Sequence, residues 1–190
     1  MAKAQISLIT TYCDRPRQLA QFRNCGMPGF CEVVIVKLRM GWRGLWGDVV
    51  VGAELPFNLA AWRNLGAKAA SGAILFFCDV DMLLPPTFVA ECRKNVKPGH
   101  VWFPMCLDLS EDGTPEPAWR ETGFGNCGIM RDDFEKLGGW NEARHEWGKE
   151  DGDFRDKVRD AGMTIVRKKL YGLFHQWHPT TPEFLNKYRG

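Results

Sequence analysis

Residues Ile74 to Pro86 read ILFFCDVDMLLPP. The apolar stretch Ile74 to Cys78 runs without a polar break into Asp79, Val80 and Asp81, and the chain then returns to Met82-Leu83-Leu84. A short continuous run of this kind reads as a strand buried on both faces. In an open α/β sheet, ligands gather beyond the carboxyl ends of such strands, where Asp79 and Asp81 stand. Two carboxylates so close repel each other and resist leaving water. A cation resolves both costs, and hard oxygen donors suit Mg2+ or Mn2+, which keep coordination positions for substrate phosphates. The plainer alternative is that an Asp after a strand only caps the next helix.

The flanking chain repeats the alternation of strand and helix. Upstream, ISLIT (Ile6 to Thr10) is a first strand, and Asp14 is placed to cap a helix with Arg15-Pro16 in its first turn. CEVVIVKL (Cys31 to Leu38) and DVVVGAE (from Asp48) read as strands, and FNLAAWRNLGAKAA (Phe57 to Ala70) as a helix ended by Ser71-Gly72. Downstream, Pro85-Pro86 opens a helix to about Lys94. Helices between short apolar runs predict an α/β fold: a mixed, mostly parallel central sheet flanked by helices. From about His100 the pattern changes. HVWFPMCLDL and PAWRETGFGNCGIM read as strands joined by a turn-rich segment, and TIVRKKLYGLFHQWHP as a last strand or hairpin. This reads as the second half of one domain over 1–190, not as a linker.

Composition narrows the function classes. A formal net charge of +2 offers no basis for a polyanionic partner such as nucleic acid, although Arg167 to Lys169 form a local basic spot. Seven cysteines without a CxxC pair read as free thiols in a reducing compartment. The first twelve residues hold too short an apolar run for a signal peptide, and no later run has the length of a transmembrane segment. A cytoplasmic location is therefore expected.

Two further clusters carry chemistry. Glu150-Asp151 forms a second acidic pair, which on its own reads as a helix start that complements the macrodipole, a role Asp153 also fits. His175 and His178 are spaced H-x-x-H near the end of the last strand, and neutral imidazole ligates Mn2+ beside carboxylate oxygens.

Taken in order, these segments resemble the GT-A inverting glycosyltransferases of the β1,4-galactosyltransferase and chondroitin-synthase type. The resemblance rests on FNLAAWRNLGAKAASGAILFFCDVD, FFCDVDMLLPP, EWGKEDGDFRDKVRDAG and LYGLFHQWHP, which together cover roughly Phe57 to Pro179. It implies a single GT-A (Rossmann-like) domain, with residues 1–99 as its nucleotide-binding half and 100–190 as its acceptor and catalytic half. The implied activity is metal-dependent transfer of a hexose or N-acetylhexosamine from a UDP-sugar to a saccharide acceptor, with inversion.

The resemblance also implies residue roles. Asp81 would ligate Mn2+ (or Mg2+), with Asp79 on the ribose or on the metal through water. His175 or His178 would complete the metal site. Asp151 would be the base that deprotonates the acceptor hydroxyl, and Glu150 would hydrogen-bond the acceptor sugar. Thr10, Thr11, Asp14 and Arg15 would hold the uracil, Arg63 and Asn64 would extend the nucleotide site, and Val80 would lie within it. Trp147 would stack on a sugar face, and Gly148 would allow close backbone approach. Lys149 departs from the usual glycine. Asn126, in GFGNCG, matches the donor-sugar wall only loosely, and Trp119, Trp140 and Trp177 carry no expected role. Relatives in animals have a membrane anchor and disulfides, so a bacterial or viral enzyme of surface polysaccharide or glycan synthesis is expected. The alternatives are a catalytically inactive nucleotide- or sugar-binding module, or a nucleotidyltransferase, whose G-x-G-x-R loop is replaced here by TTYCDRPRQ.

Overall fold

Residues 5–13, 15–25, 32–38, 49–53, 58–143 and 148–179 are described by the structure, a computed structural model. Asp14, Cys31 and Trp147 lie outside them. The first half runs through strand β1 (Ile6–Tyr12), helix α1 (Pro16–Asn24), strands β2 (Glu32–Leu38) and β3 (Val49–Ala53), helix α2 (Leu59–Ala69), strand β4 (Ile74–Asp79), the short strand β5 (Met82–Leu83) and helix α3 (Phe88–Asn95). The second half runs through β6 (His100–Leu109), β7 (Pro115–Trp119), β8 (Cys127–Met130), α4 (Arg131–Lys136), α5 (Lys149–Asp160) and β9 (Thr164–His175).

Local chemistry explains several boundaries. Pro16 opens α1 because its preset φ suits the first helical position and its missing N–H is not needed there. Arg15 occupies the N-cap position without a side-chain cap bond. At α2 the Asn58 side chain accepts from the Ala61 N–H at 3.0 Å, and the extended Ala70 ends the helix.

The strands form one mixed sheet in the order β3-β2-β1-β4-β8-β6-β9-β5, with β7 beside β6. β3, β2, β1 and β4 pair in parallel, as do β6 and β9, while β8 joins β4 to β6 in antiparallel fashion. Side chains alternate along β4 as the pleat requires. Ile74, Phe76 and Cys78 pack with Leu19 and Phe22 of α1 and with Phe88, Val89 and Cys92 of α3. Leu75 and Phe77 face the opposite layer, made by Trp62 and Ala67 of α2, Phe134 of α4, and Phe154 and Val158 of α5. A strand sandwiched between two apolar layers has no place for a polar residue until it emerges at Asp79.

The last apolar run, open between strand and hairpin in the sequence, is a single strand with an irregularity. Pairing with β6 steps from Met105↔Lys169 to Leu107↔Phe174, so β9 advances five residues while β6 advances two. Gly172, at φ +82°, lies within this bulge. No described helix is long and apolar enough to cross a membrane.

Candidate active site

Sheet topology brings the acids and histidines together. β1 and β4 run in parallel with Thr11 in register with Asp79. Past the turn, β5 pairs antiparallel with β9, setting Met82 opposite His175, and the Gln176 N–H donates to the Asp81 carbonyl at 2.7 Å. Asp81 is thereby held next to the end of a strand nearly a hundred residues later. Its Oδ2 lies 3.6 Å from His175 Nε2 and 3.4 Å from His178 Nε2. One ligand atom from each of the three residues falls within 4.8 Å of the others. Arg15 Nη1 pairs with the same Oδ2.

Asp81 is 4% exposed, and its Oδ1 has no hydrogen-bond partner among the described residues. Burial works to raise its carboxyl pKa, but the two histidines and Arg15 outweigh that and hold it well below the ordinary range. A buried carboxylate that turns Oδ2 to two imidazole nitrogens and keeps Oδ1 without a partner among the described residues is a donor set that fits Mn2+. The residues present therefore fit a divalent cation.

A second assembly adjoins the first. Arg63, on α2, is buried and donates from Nη2 to Asp79 Oδ1 at 3.1 Å and from Nη1 to Asp151 Oδ1 at 2.8 Å. The same Nη1 lies 3.7 Å from Glu150 Oε1. Its guanidinium sits 4.4 Å from the centroid of the Trp140 ring, which stacks in turn on Phe154. One cation thus neutralises carboxylates from β4 and α5 in common. Glu150, buried in the first turn of α5, has its pKa pushed up to about 7, first by burial and then by the Asp151 charge, against the pull of Arg63. Burial also raises the Asp79 carboxyl against Arg63, and the Asp81 and Asp151 charges add to the rise.

The loop before β8 closes one side. Asn126 Oδ1 accepts from the Asp79 N–H at 2.8 Å, and its Nδ2 donates to Asp79 Oδ2 at 3.1 Å. A Cβ on Gly125 would come within 2.6 Å of Arg63 Nη2 and 2.9 Å of Asp151 Oδ2, so only glycine lets the loop lie this close.

Other residues expected at the site fall as follows. Thr11 is half-buried beside Asp79, whereas Thr10 is fully buried and its hydroxyl has no hydrogen-bond partner among the described residues. The Val80 side chain packs in the core with Cys78 and Met82. Asn64 donates to the Trp140 carbonyl and to Glu142 Oε1, and accepts from the Trp140 N–H, which fastens the following loop to α2. Gly148 caps α5 at φ +81°, with open space where a Cβ would be, so backbone conformation is what demands glycine there. Trp140, given no role from the sequence, is the platform beneath Arg63. Asp108 and Arg120 also reach the site, against His175. The one sequence signal for Asp108 was the logic that singled out Asp79: a carboxylate late in a long apolar run.

The chain is similar to known proteins in sequence and in fold. Residues 105–178 match the family model described as the N-terminal domain of galactosyltransferase. Human chondroitin sulfate N-acetylgalactosaminyltransferase 2 is 31% identical over 151 residues, an alignment that covers 68% of this chain and 28% of that protein. The chain thus spans well under half of that relative's length. Among solved structures, the catalytic domain of Drosophila β1,4-galactosyltransferase 7 in complex with xylobiose superposes with a TM-score of 0.59 at 19% identity, over 86% of this chain and 64% of that one. GalNAc-T7 with UDP, GalNAc and Mn2+ gives a TM-score of 0.65 at 16% identity, over 93% of this chain and 44% of that one. At such identities the likeness is one of fold, and both neighbours are glycosyltransferases of the GT-A kind.

Proposed function

We propose, for a chain homologous to chondroitin sulfate N-acetylgalactosaminyltransferases and β1,4-galactosyltransferases and built on the GT-A fold, that it is a metal-dependent inverting glycosyltransferase. It moves a hexose or N-acetylhexosamine from a UDP-sugar to a saccharide acceptor. The observation that carries this reading is the Arg63 bridge, which ties Asp79, two residues from the Asp81–His175–His178 cluster, to the acidic pair on α5. A cation site and a base side by side are what glycosyl transfer from a nucleoside diphosphate requires, and an inert binding module has no use for the second acidic pair.

Asp81, with His175 and His178, holds the metal in this reading, and Asp79 faces the ribose. Lewis-acid assistance to the departure of the diphosphate is the chemistry a divalent cation supplies there. Asp151 is the base. Arg63 holds its Oδ1, which leaves Oδ2 to take the acceptor hydroxyl proton as that oxygen bonds to the anomeric carbon. The carbon–oxygen bond to the diphosphate breaks on the opposite face, so the anomeric configuration inverts. Glu150, whose carboxyl titrates near neutrality, hydrogen-bonds the acceptor. Thr11 and Arg15 lie on the nucleotide side, and residues 1–99 and 100–190 divide as nucleotide and acceptor halves.

Cys25, Cys78, Cys92, Cys106 and Cys127 are free thiols, which supports a reducing, cytoplasmic setting and a role in polysaccharide or glycan synthesis there. The animal origin of the relatives lends no support to a bacterial or viral source.

Calorimetric titration with UDP tests the reading. The parent is expected to bind UDP only with Mn2+, Asp81→Asn to lose that binding, and Asp151→Asn to keep it while transfer falls about 10^2- to 10^4-fold. Metal-independent or absent UDP binding would overturn the proposal in favour of a non-catalytic module. Release of diphosphate from UTP with a sugar phosphate would favour a nucleotidyltransferase.

A further inference from the structure

We propose that Asp108 is a positioning residue for the metal site: it fixes the ring of His175 so that Nε2 is presented to the cation beside Asp81. The inference rests on the metal-dependent reading above and adds a residue for which the sequence carried no expectation.

His175 is held from both ends. Its Nε2 points to Asp81 Oδ2, while its Nδ1 lies 3.0 Å from Asp108 Oδ1. Arg120 grips the same carboxylate as a fork, with Nε at 3.2 Å from Oδ2 and Nη2 on Oδ1. Arg120 Nη2 also lies 3.1 Å from His175 Nδ1. A guanidinium carries donors only, so it cannot bond an Nδ1 that holds a proton. Nδ1 thus has two states open to it, bare and accepting from Arg120 or protonated and facing Asp108 Oδ1; a cation on Nε2 needs the second, and the proton is assigned to Nδ1 on that ground. That tautomer leaves the lone pair on Nε2, the form a metal ligand requires.

The support behind Asp108 is itself anchored. The Arg120 N–H donates to the Cys106 carbonyl at 3.0 Å, and the Arg120 carbonyl accepts from Arg167 Nη2 at 3.2 Å. Arg167 also takes the carbonyls of Glu121, Thr122 and Gly123, so the turn bearing Arg120 is tied to β9. The bulge in β9 then brings His175 into register with Asp108. Among the described residues His178 meets a weaker partner, its Nδ1 facing the neutral carbonyl of Pro179 at 3.4 Å. Asp108 therefore makes His175 the more firmly oriented of the two imidazoles.

The test is Mn2+ titration of the full chain by calorimetry, without nucleotide, on the parent, Asp108→Asn, His175→Ala, His178→Ala and the Asp108→Asn/His175→Ala double variant. Asp108→Asn is expected to weaken Mn2+ binding about 10- to 100-fold. On the His175→Ala background the same change is expected to alter affinity by no more than about twofold, because the route through the ring is gone. Asp108→Glu, which restores a carboxylate, is expected to recover much of the loss, and circular dichroism melts check that each variant is folded. An equal weakening on both backgrounds, or none in folded Asp108→Asn, would overturn the inference while leaving the metal site standing. A parent that binds no Mn2+, or binds it unchanged after Asp81→Asn, would bring down the reading beneath it as well.

Discussion

Arg63 on α2 donates to Asp151 on α5 at 2.8 Å, although the two lie 88 residues apart in the chain. The same guanidinium serves Asp79 and Glu150, and it is buried over Trp140. Its removal would leave three carboxylates clustered without the cation that pairs with them among the described residues. Arg63→Met is therefore expected to destabilise the fold by about 3–5 kcal/mol in urea unfolding. Arg63→Lys, which keeps the charge but loses the fork, should fall between. In Arg63→Lys the transfer rate should drop more than Mn2+-dependent UDP affinity. A direct nucleotide contact would produce the reverse.

Glu150 makes stability depend on pH in a defined direction. Its carboxyl titrates at about 7 in the fold against 4.5 as the ordinary value, so the folded chain keeps a proton that the unfolded chain has released. The associated stability is fully present below about pH 4.5 and is lost as pH rises through about 7. The shift corresponds to roughly 3 kcal/mol at most. Glu150→Gln should flatten the pH dependence of the urea midpoint across this window. An unchanged slope would mean that the burial of Glu150 is not felt as a desolvation cost.

Gly66 sits where α2 crosses the sheet. A Cβ there would fall 2.4 Å from Ile9 Cγ2 and 3.0 Å from Val36 Cγ2, both inside a packed layer. Gly66→Ala gains helix propensity of about 1 kcal/mol, but overpacking costs typically 1–3 kcal/mol. A lowered melting temperature is expected. A raised one would show that the layer yields.

Asn126 holds Asp79 by both its backbone N–H and its carboxylate. Hydrogen bonds to charged groups contribute about 1.5–3 kcal/mol each. Asn126→Ala is expected to lower kcat/KM for the UDP-sugar by about 10- to 100-fold, measured under Mn2+ saturation. A variant as active as the parent would leave Asn126 with only a structural role.

Much of this protein was legible before any coordinates. A strand buried on both faces must be apolar throughout, so Ile74 to Cys78 declared both its class and its end, and Asp81 just after it meets His175 and His178. Asn58, which the sequence reading left inside the helix begun at Phe57, instead caps it. The histidines were legible as a pair, and the structure turns both to Asp81. Arg63 was not. The family resemblance implied a nucleotide contact for it; its three carboxylates come from β4 and α5 and meet it only in the folded chain. Asp108 was missed because a lone acid late in an apolar run, without a second carboxylate beside it as Asp79 has in Asp81, marks a strand end and nothing more.

Most element types, and the candidate acids and imidazoles other than Asp108, followed from the sequence alone, because they depend on neighbours a few residues away: apolar periodicity and carboxylates at a strand end. The tertiary structure alone decided which of those groups share a site. Pairing β5 with β9, stepping five residues against two at the bulge, and setting α5 over Arg63 are choices of register between distant segments. Such choices are made by packing across the whole sheet, and no stretch of a few residues contains the free energy that selects them.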